Sequence, residues 1–169
     1  FHVTFLDISH QMLDQARLAV EPLGKPAIAR ARFIRADLSD LTAMDQGHFA
    51  LATGFGEPIC CTPDPFVTLK QIKTILAPGG QLVATIDNRL AAIDFYLEKG
   101  DPAVLTKFLR NGRTHWLTKN AAEQFEITTY SPGELRRLLR RAGFEVTDMI
   151  GKTVLHMRRH RGLLEDSAA

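Results

Sequence analysis

Cysteine is scarce in this sequence: there are only two, and they stand side by side as Cys60 and Cys61. Adjacent cysteines cannot link distant segments, and they do not form the Cys-x-x-Cys spacing of a zinc site. A disulfide-stabilised scaffold is therefore excluded, and a reducing compartment is the expected environment. His156 and His160 are four residues apart but have no cysteine or carboxylate partner, so we expect no bound metal.

Long apolar runs are also absent, and none approaches the roughly 20 residues that a membrane-spanning helix needs. The chain does not open with the basic, apolar and small-residue order of a signal peptide. An excess of one charge is missing as well, because 21 Lys and Arg stand against 19 Asp and Glu. This balance gives no general argument for a nucleic-acid partner. We therefore expect a cytoplasmic protein without a membrane or nucleic-acid partner.

The composition is that of an ordinary globular domain, with 45% hydrophobic residues in a chain of 169. In the first half, helical patterns begin after the capping residue Ser9 and at Pro65. They alternate with strand-like runs at Phe1–Leu6, Ala31–Arg35, Phe49–Thr53 and Gln81–Ile86. This alternation predicts an α/β fold with a Rossmann-like, mostly parallel sheet and flanking helices.

The second half of the chain has a different pattern. Short amphipathic segments between residues 89 and 128 predict a helical, cap-like insertion. Ser131-Pro132-Gly133-Glu134 is a capping box that predicts another helix. Phe144–Ile150 and Thr153–Met157 flank a Gly-Lys turn and predict an antiparallel hairpin. We expect one domain over residues 1–158 and a flexible tail over 159–169.

Polar residues follow several predicted strands. Asp7 and Asp37 come just after the first two, and Thr53-Gly54 closes the third. Ligands of open α/β sheets bind beyond the carboxyl ends of the strands, where these residues would form a half-ring. A carboxylate there can accept hydrogen bonds from both hydroxyls of a ribose. The alternative for each aspartate is that it caps the next helix or faces water.

The same residues, with their neighbours, resemble a class I S-adenosylmethionine-dependent methyltransferase. The motifs are Asp7-Ile8-Ser9-His10-Gln11-Met12-Leu13 with Ala16-Arg17, then Ala36-Asp37, Phe49, and Ile75-Leu76-Ala77-Pro78-Gly79-Gly80-Gln81-Leu82. The resemblance covers residues 3–88 in order, and the later helix and hairpin match the usual family ending. One local departure is Phe49-Ala50, where the family often has Phe-Asp.

The resemblance implies S-adenosylmethionine as cofactor, S-adenosylhomocysteine as product, and a role for each matching residue. Asp7 would bind the ribose hydroxyls, and Ile8 and Met12 would pack on the adenine. Asp37 and Leu38 would lie at the adenine edge. Without the resemblance, Met12 would be interpreted as a core residue.

Thr53 and Gly54 are assigned by the resemblance to the methionine moiety. The family's first strand and glycine-rich turn belong upstream of Asp7, and this sequence, which opens at Phe1, does not contain them. We interpret the chain as a fragment in which the strands ending at Asp7 and Thr53 lack their shared neighbour. We expect it to bind the cofactor poorly, or to close the gap by pairing those strands or by self-association.

Methyl transfer from a sulfonium is an in-line displacement that depends mainly on alignment of donor and acceptor. A hydroxyl acceptor would be helped by a general base, and His115, Tyr130 and Glu57 are the candidates for that role. For each, an ordinary surface or packing role is the alternative. The loop after Thr53 carries neither Asn-Pro-Pro-aromatic nor Pro-Cys, so a small-molecule acceptor is the predicted substrate.

Two other classes of protein stay open. A nicotinamide-dependent oxidoreductase also places an acidic residue after its second strand, although the Pro78-Gly79-Gly80 turn favours the methyl donor. A catalytically silent interaction module could keep the same scaffold.

Overall fold

The structure, a computed structural model, describes residues 1–115 and 120–151. The chain divides into two compact units. The first comprises Phe1–Thr53 and Thr62–Val83, and the second comprises Gly54–Cys61 and the described residues from Ala84 onward. The predicted boundaries at 158 and 159 stay predictions, because they lie outside the described residues.

The first unit opens with a strand, a helix and a second strand, as predicted. Strand β1 (Val3–Asp7) pairs in parallel with β2 (Ala31–Arg35). Helix α1 (His10–Val20) lies between them in sequence, and the Ser9 hydroxyl caps it by accepting a hydrogen bond from the Met12 N–H at 3.3 Å. The short helix α2 (Lys25–Ile28) leads into β2. Phe5 and Phe33 are partners in this register, and their phenyl rings stack with centroids 5.0 Å apart.

The second half of this unit contains β3 (Phe49–Gly54), α3 (Pro65–Ile75) and β4 (Leu76–Ala84), and β3 pairs with β4. The Asp64 carboxylate caps α3 by accepting from two backbone N–H groups. The predicted strand Gln81–Ile86 is wrong at both ends, because α3 stops at Ile75 and the chain is extended from Leu76. Gly80 permits this, since a Cβ there would lie 2.8 Å from the Phe49 carbonyl oxygen.

The core of the first unit is formed mainly by α1, α3 and the segment between β2 and β3. Its buried side chains are Leu13, Val20, Leu41, Met44, Leu69, Ile72, Ile75 and Leu76. In the part of the chain that the structure describes, β1–β2 and β3–β4 are separate two-stranded sheets. Among the described strands, β1 pairs only with β2 and β3 pairs only with β4. One edge of β1 and one edge of β3 therefore have no described strand beside them.

The second unit contains the predicted insertion, and the α-helices that the structure describes there lie in its first half. After a 3₁₀ turn (Arg89–Ala92) come α4 (Ile93–Glu98) and α5 (Pro102–Asn111). They pack through the rings of Tyr96 and Phe108, whose centroids are 4.3 Å apart. The strands β5 (Arg113–His115) and β6 (Glu126–Thr128) then form an antiparallel pair that the sequence patterns did not predict.

Helix α6 (Pro132–Arg141) begins at the predicted capping box. The Ser131 N–H donates to Glu134 Oε2 at 2.9 Å, and the Glu134 N–H donates to Ser131 Oγ at 3.4 Å. These reciprocal bonds satisfy backbone groups that have no partner within the helix.

The predicted C-terminal hairpin has a different outcome. Phe144–Ile150 is not a strand in the structure. A strand exists only through hydrogen bonds to a neighbour, and the proposed partner, Thr153–Met157, lies outside the described residues. The antiparallel pair of this unit is β5–β6 instead.

Candidate active site

The carboxylate of Asp7 stands at the end of β1, as predicted. Its Oδ1 accepts a hydrogen bond from the Ser9 N–H at 2.8 Å, so it also shapes the turn that opens α1. Asp7 lies opposite Arg35 in the parallel register, and Asp37 follows two residues later. The structure therefore brings Asp7 and Asp37 to the same end of the β1–β2 sheet.

Asp37 is exposed, and its carboxylate accepts two hydrogen bonds. Its Oδ1 accepts from the Ser39 N–H at 2.8 Å and from the Ser39 hydroxyl at 2.7 Å. These bonds, the backbone one most, hold the pKa of Asp37 below its usual value. The carboxylate thus stays ionised, as a hydrogen-bond acceptor for a ligand must. Leu38 beside it is partly buried.

Two large apolar side chains are exposed close to Asp7 in sequence. Ile8 is 61% exposed and Met12, in the first turn of α1, is 57% exposed. Met12 is therefore not the core residue that its helical spacing alone would suggest.

The end of β3 is tied to the residues after β4 through Thr85. The Thr85 N–H donates to the Gly54 carbonyl oxygen at 2.9 Å. The Thr85 hydroxyl oxygen in turn accepts from the N–H groups of Gly56 and Glu57, at 3.0 and 3.2 Å. Glu57 has a φ of 58°, a left-handed conformation that a non-glycine residue rarely adopts. Thr53, the residue before Gly54, is exposed.

Asp87, three residues after β4, is a further carboxylate in this region that the sequence patterns did not single out. Its N–H donates to Cys60 Sγ at 3.2 Å, and its carbonyl oxygen accepts from the Tyr130 N–H at 3.0 Å. The carboxylate atom Oδ2 is buried and has no hydrogen-bond partner among the described residues. Burial, and to a smaller extent the negative charge of Glu57, together raise the pKa of Asp87 to about 6.

The structure therefore gathers two of the three predicted base candidates, Glu57 and Tyr130, around Asp87. The third, His115, lies on β5 opposite Glu126 with an exposed side chain. No described hydrogen bond joins His115 to this group. The signal for Asp87 was available, since it follows a predicted strand as Asp7 and Asp37 do.

Cys60 and Cys61 have different environments. Cys60 is fully buried, and burial raises the pKa of its thiol to about 12. It therefore stays a thiol and supports the Asp87 backbone. Cys61, the next residue, is exposed.

Arg89, two residues after Asp87, is committed to other partners. Its Nη1 donates to the Leu109 carbonyl oxygen and to Glu134 Oε1, at 3.1 and 2.9 Å, and its Nη2 donates to the Thr129 carbonyl oxygen at 3.0 Å. Only 10% of the side chain is exposed. Arg89 thereby joins α5, β6 and the start of α6, and its charge is paired with Glu134.

In the described ranges, no group of three or more His, Cys, Asp and Glu side chains is arranged to hold a metal ion. His156 and His160 lie outside those ranges. No helix among the described residues has the length and apolar character that crossing a bilayer requires.

Comparison with known proteins identifies the fold. Residues 1–80 match the model of a family described as "Methyltransferase domain". No curated protein is similar enough in sequence to count as a relative.

Three solved structures illustrate the likeness. One is a chain from a Haloferax volcanii complex between the Trm112 methyltransferase activator and a methyltransferase. It is 20% identical to this chain with a TM-score of 0.61, and the match covers 87% of this chain and 52% of that one. An S-adenosylmethionine-dependent methyltransferase from Methanosarcina mazei is 21% identical, with a TM-score of 0.66 over 87% and 71%. The glycopeptide N-methyltransferase MtfA, solved with S-adenosylmethionine, is 16% identical, with a TM-score of 0.60 over 88% and 68%.

The chain thus has a Rossmann-like α/β fold similar to that of solved S-adenosylmethionine-dependent methyltransferases, and the predicted fold class is confirmed. The match to the methyltransferase-domain family covers residues 1–80 of the 169 in this chain. The chain spans about half the length of the Haloferax protein, 52%.

Proposed function

We propose that this chain binds S-adenosylmethionine and transfers its methyl group to a small-molecule acceptor. One observation carries the proposal: the parallel register of β1 and β2 puts Asp7 and Asp37 at the same carboxyl end. Ligands of open α/β sheets bind at that end. The family match over residues 1–80 covers both carboxylates.

In this proposal each polar and apolar group at that end has a role. Asp7 accepts hydrogen bonds from the two ribose hydroxyls, which are stronger than neutral ones because the acceptor is charged. Asp37 and Leu38 meet the adenine edge. Ile8 and Met12 supply the exposed apolar surface on which the adenine packs.

The chemistry needs alignment more than it needs catalytic groups. The bond between sulfur and the methyl carbon breaks as the acceptor's lone pair forms the new bond, and the sulfonium becomes the thioether of S-adenosylhomocysteine. Thr53 and Gly54 are the proposed neighbours of the methionine moiety. Holding donor and acceptor in line is worth roughly 7 to 11 kcal/mol in well-oriented systems.

Ligand-observed NMR tests the proposal on the chain as it stands, because saturation transfer detects weak binding. We expect ribose and adenine signals from S-adenosylhomocysteine and none from NADH. Replacing Asp7 by Ala removes two charge-assisted hydrogen bonds and should weaken binding by at least about tenfold. Asp14→Ala, an exposed carboxylate that pairs with Arg17 on α1, is the matched control.

Two results would contradict the proposal. Binding of NADH without S-adenosylhomocysteine would favour an oxidoreductase. If neither cofactor bound, the chain would be an interaction module that keeps the scaffold.

The partner predictions stay proposals as well. β1 and β3 each have one edge without a ladder partner in the described part of the chain, and pairing of such edges between two copies is the proposed route to self-association. A concentration series in analytical ultracentrifugation tests it, and a monomer at every concentration would reject it.

A further inference from the structure

We propose that Asp87 anchors a positively charged amine of the methyl acceptor, with Glu57 adding to the negative potential of the same subsite. This inference rests on the proposed function and names the class of acceptor: a small organic molecule that carries a protonated amino group. It follows from a carboxylate that the fold buries in part but does not neutralise.

The position of Asp87 is fixed by groups on both sides of it. Its N–H is held by Cys60 Sγ and its carbonyl oxygen by the Tyr130 N–H. Thr85, two residues earlier, is bonded to Gly54, the residue assigned to the methionine moiety. Asp87 and Gly54 are therefore close to the same hydrogen-bonded segment, Thr85, within the second unit.

The electrostatics of this position are unfavourable without a ligand. Oδ2 of Asp87 is buried and lacks any partner in the described chain. A buried acceptor without a partner costs free energy, more so when it is charged. Glu57 adds a like charge, which together with burial raises the pKa of Asp87.

No positively charged side chain of the described residues is paired with Asp87. Arg89, the nearest arginine in sequence, is bonded to Glu134 and to two carbonyl oxygens. The described titratable groups that interact electrostatically with Asp87 are Glu57 and the thiols of Cys60 and Cys61, none of which is positive at neutral pH. Since the described residues supply no positive charge to balance Asp87, the proposal assigns that charge to a ligand.

An organic ammonium fits this subsite better than a metal ion. The described residues offer no group of three ligating side chains here. An ammonium group needs only one or two carboxylates, and its remaining donors can meet backbone carbonyl groups. Because the subsite must be ionised to attract a cation, binding should strengthen as the pH rises through about 6.

The experiment uses the full chain and benzylamine as probe, with benzyl alcohol as the neutral analogue of the same shape. Backbone amide shifts of Gly56, Glu57, Asp87 and Tyr130 are followed by two-dimensional NMR. We expect saturable shifts with benzylamine at pH 7.5, at least about tenfold weaker binding at pH 5, and no saturable shifts with benzyl alcohol.

Two variants and a control isolate the carboxylate. Asp87→Asn should weaken benzylamine binding at least about tenfold at pH 7.5 and abolish its pH dependence. Glu57→Gln should weaken it less and move the pH midpoint downwards, which tests the subsite even if Asp87→Asn does not fold. Asp148→Asn removes an exposed carboxylate of the same unit and should change nothing.

Unchanged binding in Asp87→Asn, equal binding of the alcohol, or displacement of benzylamine by Mg²⁺ at lower concentration would overturn the inference. The S-adenosylhomocysteine experiment is independent of it. If only the cofactor fails to bind, the proposed function falls and the cation subsite stands. If only benzylamine fails, the methyltransferase proposal stands with a different acceptor.

Discussion

Asp37 and Asp87 each follow a strand, yet they differ in burial, in hydrogen bonding and in the direction of their pKa shift. Asp37 is exposed and accepts two hydrogen bonds from Ser39, which lower its pKa. Asp87 is partly buried, leaves Oδ2 without a described partner, and has its pKa raised to about 6. The same sequence signal therefore marks one carboxylate suited to accept hydrogen bonds and another suited to attract a cation.

The hydrogen-bond partners of the two residues also differ in how far away they lie in the sequence. Asp37 depends on a residue two positions away, whereas Asp87 depends on Cys60 and Tyr130, which are distant in sequence. Arg89 extends that long-range support to α5, β6 and α6. If this contrast is correct, variants in the second unit should show large effects where contacts are buried and small ones where contacts are exposed.

The largest expected effect is that of Arg89→Met. It removes a buried guanidinium and leaves Glu134 and two carbonyl oxygens without their donor, which should cost about 3 to 5 kcal/mol of stability. The matched variant Arg113→Met breaks an ion pair whose side chains are 53% and 50% exposed, and it should cost less than about 1 kcal/mol. Urea denaturation measures both. Equal losses would remove the contrast between buried and exposed contacts.

A smaller effect is expected from Gly112→Ala. Gly112 has a φ of 68°, and an added Cβ would meet the Arg89 guanidinium and lie 2.6 Å from the Thr129 carbonyl oxygen. The combined strain and overpacking should cost about 2 to 3 kcal/mol.

Gly100→Ala is its control, because Gly100 has a φ of 67° but nothing within 4 Å of an added Cβ. This variant should cost about 1 kcal/mol, the backbone component alone. A loss as large as that of Gly112→Ala, by thermal denaturation, would show that the Arg89 contacts add nothing.

The smallest effect is a pH dependence of stability with opposite signs at the two carboxylates. The folded pKa of Asp87 is raised from 3.8 to about 6, so the folded chain binds more protons between these values and stability falls as the pH rises through them. After allowance for solvent screening, this loss should be about 1 kcal/mol. Asp87→Asn should abolish it and be the more stable protein at pH 8.

Asp37 should behave in the reverse sense. Its folded pKa is lowered, so its contribution is present above pH 3.8 and is lost as the pH falls through the folded pKa. Asp37→Asn should therefore lower stability at neutral pH and not in strong acid. Urea midpoints measured from pH 3 to pH 8 for the wild type and both variants compare the two signs directly. If Asp87→Asn keeps the wild-type decline between pH 4 and 6, the burial argument is wrong.

Local chemistry explains which elements were predictable. The predicted strand Ala31–Arg35 is β2 with the same bounds. Ser9 and the Ser131 capping box mark helix starts because each satisfies backbone N–H groups within three residues. Asp7 and Asp37 were also predictable, since a strand end and a following carboxylate can both be recognised in the sequence.

Other elements depend on partners far away in the chain. The β5–β6 pair joins short segments that have no strand pattern of their own, and Phe144–Ile150 has that pattern but no described partner. Asp87 follows a predicted strand, yet its distinctive property, a carboxylate oxygen buried without a partner, comes from how the loop after β3 and the residue Tyr130 enclose it.

The sequence by itself determined the order of strands and helices in the first unit, the helix caps and the class of fold, because these depend on spacing and on hydrogen bonds between near neighbours. Tertiary structure alone decided that Asp37 stays solvated, that Asp87 is partly buried, and that the charge of Arg89 pairs with Glu134. The reason is that desolvation and ion pairing depend on distance in space, and residues far apart in the chain set those distances.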